Sequence, residues 1–193
     1  RSTPMWILAA VFAGAIVALG RWRGVGALAG LAVSLAVLTV FALPSLLDGH
    51  SAIPVALVAA SLIAYVALYL AHGFHPSTSV ALVSTFAALV VTGLLSWLFV
   101  DLAALTGYTD DGSQFLTALG VPIDPRGILL AGIVIGSLGV LDDVTVTQVS
   151  AVWELRSADP AMPTGDLIRR ALRIGRDHIS STVNTLFLAY AGA

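Results

Sequence analysis

Residues 2–20, 24–47, 51–71 and 76–100 form four stretches without a single Asp, Glu, Arg, Lys or His. A helix needs about 20 apolar residues to cross a hydrocarbon core of about 30 Å, and each stretch supplies roughly that length. The chain is therefore predicted to be all-α, a polytopic transmembrane helix bundle. Composition agrees: 58% of the residues are hydrophobic, 10% are charged and the mean hydropathy is +0.97, whereas a soluble domain is about a quarter charged. That excludes a soluble enzyme, a charged tail protein and a nucleic-acid binder with a basic face. With Cys 0 there is no disulfide framework, thiolate zinc site or iron–sulfur cluster.

About six spans fit one transmembrane domain over residues 1–193, at roughly 4–20, 24–43, 53–71, 78–100, 127–153 and 178–193. The fifth run is interrupted by Asp142-Asp143, yet apolar residues continue at helical spacing to Trp153, so it reads as one long helix carrying two acids. The sixth is still apolar at Ala193, and its last fifteen or so residues cover only about 22 Å. Together with Arg1-Ser2-Thr3-Pro4 at the start, this sets the expectation of a segment of a longer protein.

All nine cationic residues are Arg. Arg-rich short loops stay in the cytoplasm, which puts Arg21, Arg23, Arg156, Arg169, Arg170, Arg173 and Arg176 inside, and Arg1, Arg126 and the N-terminus outside. Residues 166–176 pair Leu167, Ile168, Leu172 and Ile174 with Arg169, Arg170, Arg173 and Arg176, suiting a short amphipathic helix at the cytoplasmic interface. The outer loop, 106–125, is turn chemistry first; cation binding by Asp110-Asp111 is the alternative.

An Asp inside a span costs about 2.5–3.5 kcal/mol on insertion scales, so Asp142 and Asp143 need partners or water. Gly132, Gly136 and Gly139 lead by helical spacing to Asp143 and Thr147, and small residues permit close helix contact. Asp143 is thus expected to face protein, with Asp142 about 100° away beside Leu138 and Val146. On the sixth span Asp177, Ser181 and Asn184 follow at i, i+4 and i+7. Oxygens from Asp142, Asp143, Thr147, Gln148, Ser181 and Asn184 suit a hard cation or a proton relay, with Thr145 and Asp177 secondary to it. The structural alternative is a hydrogen-bonded network joining two helices.

His72 and His75, at i and i+3, have a spacing that could hold a metal, although histidines at a helix end more often anchor or cap. Gly26-xxx-Gly30 with Ser34, and Ser84, Thr85, Thr92 and Ser96, read as packing surfaces, with Thr85 or Thr92 lining a pathway as the alternative. His50 and His178 have no partner that the pattern identifies. No phosphate loop, dinucleotide motif, His-Glu-x-x-His or nucleophile elbow occurs. No catalytic residue and no cofactor is assigned.

Three motifs carry a resemblance: Gly132 through Leu141-Asp-Asp-Val-Thr-Val-Thr-Gln148, Trp153-Glu-Leu-Arg156, and Arg170 through Arg176-Asp-His-Ile to Ala189-Tyr-Ala-Gly192. The chain resembles the YibE/F-like family of bacterial multi-pass membrane proteins, over most of its length from His72-Gly73 onward. The resemblance implies a helical protein of the bacterial inner membrane, with further spans after the Ala-Tyr-Ala-Gly motif and an extracytoplasmic region before the spans. Transport is usually presumed for the family. Three function classes follow: a transporter or permease component for a small ion or solute, a non-transporting scaffold, and, least favoured, an intramembrane aspartyl hydrolase using Asp143 and Asp177. The partners expected are the lipid bilayer, a small cation or proton, and a second copy or other membrane subunits, with no nucleic acid.

Overall fold

The structure, a computed structural model, describes residues 3–107 and 124–191. It comprises helices α1 (Thr3–Gly20), α2 (Trp22–Leu47), α3 (Ala52–His72), α4 (Pro76–Leu102), α5 (Pro125–Ala158) and α6 (Thr164–Ala191), with no strand among the described residues. Helices α1 to α5 are long and apolar enough to cross a membrane, so the chain is an all-helical membrane protein. The pair Asp110-Asp111 lies outside the described residues.

Helix α3 is the hub, packing against α2, α4 and α5. It can do so because Ala56, Ala59, Ala60 and Ala64 are 0% exposed, and side chains this small let neighbouring backbones approach. On α2 the approach is closer still. A Cβ on Gly26 would collide with the Leu70 carbonyl oxygen, and one on Gly30 would come within 3.3 Å of the Ala67 Cα. Gly26-xxx-Gly30 is therefore the seam between α2 and α3. Ser34 closes it by donating to the Gly30 carbonyl at 2.8 Å, which satisfies its hydroxyl within its own helix.

The turns and irregularities have local causes. Residues Val37–Ala42 of α2 widen into a π-helical stretch just ahead of Pro44. Pro44 has no N–H to donate, and its ring would strike the carbonyl of Val40 in a regular α-turn, so the wider register relieves both faults. Between α3 and α4 the chain reverses at Gly73 (φ 78°, ψ 178°), a conformation that only glycine adopts readily. Phe74 stacks on Tyr69 at 4.7 Å, and the Tyr69 and Ser79 hydroxyls meet at 2.9 Å. This turn presents His72 and His75 on one side.

Two features depart from the expectations drawn from the sequence. The stretch 166–176 and the apolar run beyond it form one continuous helix, because no proline follows Pro163 and Gly175 is covered by the Gln148 side chain. The glycine stripe of α5 is not a helix seam: a Cβ on Gly132, Gly136 or Gly139 would meet nothing within 4 Å. Gly132 and Gly136 line an open apolar groove with Leu129, Ile133 and Leu186. The two glycine motifs therefore predict opposite sensitivities. Gly26→Val is expected to cost about 1–3 kcal/mol by overpacking, whereas Gly136→Ala should stay within about 0.5 kcal/mol, as read by thermal unfolding of the purified protein in detergent.

Candidate functional site

Helix α5 buries Gly127, Leu130, Ala131, Val134 and Leu138, a stripe at helical spacing against α3 and α4. Four residues beyond Leu138, the same face carries Asp142. The Thr145 hydroxyl lies 3.2 Å from the Asp142 backbone carbonyl and 2.8 Å from the hydroxyl of Thr85 on α4, which is fully buried. The Asp142 side chain opens onto a cleft of about 260 Å³ that it shares with Gly30, Ser34 and His72. Its Oδ1 is buried without a hydrogen-bond partner among the described residues. In low dielectric such an oxygen is strongly disfavoured unless a proton, ion or water completes it.

Asp143 lines the edge of the same cleft, and its carboxylate reaches toward α6. Its Oδ2 lies 3.2 Å from Nε2 of His178, with the aspartate side chain 62% and the histidine 29% exposed. Around the pair Gly139, Ser181, Thr182 and Thr185 line an open cleft. The Thr182 hydroxyl donates to the His178 carbonyl at 3.0 Å and that of Thr185 to the Ser181 carbonyl at 3.1 Å, so both are satisfied within α6. The adjacent acids thus differ in their surroundings: Asp142 faces the cleft between α2, α3 and α5, and Asp143 borders both that cleft and the one toward α6.

This arrangement rearranges the residues singled out from the sequence. Asp143 and Ser181 do share a cleft, whereas Asn184 is exposed and lines none of the clefts at the acidic pair. Thr147 is half-buried and lines neither cleft. Gln148 is placed over Gly175, where a Cβ would strike its side-chain oxygen. Thr145 belongs to the Asp142 side. Asp177 lies in a separate surface cleft on α6 with Arg169, Arg173 and Arg176. The stripe that α6 turns to α5 is Leu167, Ala171, Gly175, His178 and Thr182, offset from the predicted Asp177, Ser181, Asn184 stripe. Burial of Leu167 and Ala171 sets that rotation, and extending their 3.6-residue period would have found His178, the partner that sequence reasoning missed.

At the end of the bundle that carries Arg23, a third cleft of about 240 Å³ gathers His72, His75, Thr78 and Glu154 from α3, α4 and α5. Among the described residues no three His, Asp or Glu side chains converge as a metal site would require. His72 lines this cleft and the Asp142 cleft alike, so the two adjoin. At the opposite end Arg126 pairs with Asp101 at 2.8 Å, joining the start of α5 to the end of α4.

Long apolar helices around an acidic residue with an unsatisfied buried oxygen define a multi-pass membrane protein of the kind that places ionisable groups inside its spans. Residues 8–193 match the sequence profile of the YibE/F-like proteins, and the chain belongs to that family. No curated protein and no solved structure matches it. Because the Asp143–His178 pair is only partly covered by protein, a double-mutant cycle with Asp143→Asn and His178→Gln is expected to return a coupling of about 0.2–1 kcal/mol in thermal unfolding.

Proposed function

We propose that the protein is an integral transporter or permease component of the bacterial inner membrane, moving a small ion or solute, with Asp142 and Asp143 as its cation or proton site. The observation that carries this reading is the Asp142 carboxyl, whose Oδ1 is buried without a hydrogen-bond partner among the described residues, beside a cleft reaching His72. Ionisable groups within spans are costly, and they commonly mark ion paths and proton relays. Asp142 is the principal carrier, and the Asp143–His178 pair is a second station toward α6.

The arginine distribution supports an orientation with Arg21, Arg23, Arg156 and the basic half of α6 in the cytoplasm. The scaffold reading draws support from the uncovered glycine face of α5, which another membrane helix would fit. An aspartyl hydrolase finds no support, since Asp177 sits in the arginine cleft while Asp143 pairs with His178. We read the protein as a non-enzyme.

Flux of protons and divalent cations into proteoliposomes carrying the complete protein tests the reading. Asp142→Asn is expected to lower flux at least about tenfold, about 1.4 kcal/mol on the barrier, with Asp143→Asn the milder of the two. Wild-type flux from a folded Asp142→Asn protein would remove Asp142 from the mechanism. A stoichiometric membrane partner with no flux from either protein would favour the scaffold.

A further inference from the structure

We propose that the cleft at the Arg23 end is a binding site for a small, singly charged oxyanion of the phosphate type. Four elements contribute to it. Arg23, from α2, forms no ion pair among the described residues, so its guanidinium is available to a ligand. His72 and His75 flank it from the α3–α4 turn. Helix α4 begins at this point, and no side chain caps it. Pro76 has no N–H and the Ser79 N–H is taken by the His75 carbonyl at 3.2 Å, which leaves the Ser77 and Thr78 amides at the positive end of a 27-residue helix.

An independent observation points to a ligand. Thr78 is 4% exposed and lines the cleft, yet its hydroxyl has no hydrogen-bond partner among the described residues. A hydroxyl in a membrane helix can donate to the carbonyl four residues back, as Ser34 and Ser84 do here at 2.8 and 2.9 Å. Phe74, four residues before Thr78, lies outside the helix in the turn, so that option is lost and the hydroxyl is left for an incoming acceptor. Glu154 is the one carboxylate in the lining among the described residues and repels a dianion more strongly than a monoanion, which favours the monoanion. The cleft of about 240 Å³ holds the equivalent of roughly eight waters, enough for an oxyanion of a few heavy atoms with part of its hydration.

Binding stands on the cleft itself. Its place in transport rests on the reading above, through His72, which lines both this cleft and that of Asp142. A proton on Asp142 and an anion next to His72 would then travel in the same cycle, making the solute an oxyanion and the proton its coupling ion.

The test is a titration of the complete purified protein in detergent with inorganic phosphate, followed by the fluorescence of Trp153, which lines the cleft and is half-exposed. A saturable signal that vanishes in Trp153→Phe is expected. Affinity should fall at least about tenfold in Arg23→Gln, an exposed position where folding is not at stake, and a few-fold in Thr78→Val. A response to short-chain phosphatidylglycerol but not to phosphate would make a lipid headgroup the source of the same oxyanion. No saturable response to either, or one unchanged in Arg23→Gln, overturns the proposal. Asp142→Asn should keep the binding signal while losing flux; phosphate bound by the unsubstituted protein with no proton flux from it would sink the transport reading and leave the anion site standing.

Discussion

The alanine face of α3 is the constraint from which the rest of the bundle follows. In lipid no hydrophobic force drives apolar helices together, so they associate where backbones approach closely enough for dispersion to accumulate. Ala56, Ala59, Ala60 and Ala64 provide that approach on α3, and Gly26 and Gly30 provide it on α2. With α2, α4 and α5 seated around this core, the rotation of α5 is set by Leu130, Val134 and Leu138, and that rotation carries Asp142 inward.

Consecutive residues on a helix diverge by about 100°, so once Asp142 points into the bundle Asp143 has to point elsewhere. It finds α6, and His178 gives it a partner at 3.2 Å. Asp142 thereby keeps one oxygen without a partner among the described residues in the inner cleft, while Asp143 borders that cleft and pairs with His178 in the next. His72, at the end of α3, stands where the inner cleft meets the Arg23 cleft, so the same helix that organises the packing also joins the two polar regions.

Much of the candidate site was legible in the sequence, and the part that was not has a specific reason. Asp142 and Asp143 stand out because charge is costly within apolar runs. Which of them is the more buried is not legible there, because the glycines of α5 do not lie on its packed side. Glycine permits close contact without requiring it, whereas Leu130 and Leu138 are held by the core around them. The same limit explains His178: its role depends on how α6 is turned, and polar residues on that helix suggest several stripes of equal merit.

The sequence by itself determined that the chain is helical, that it belongs in a bilayer, and which residues break the apolar pattern. Those properties follow from hydropathy and from the need of every backbone amide in lipid to find a partner within its own segment. Only the tertiary structure decided which glycines form a seam, which aspartate is inward and which histidine meets the other, because these depend on the rotation of each helix about its axis. That rotation is the outcome of side chains on several helices packing together, and no single segment carries it.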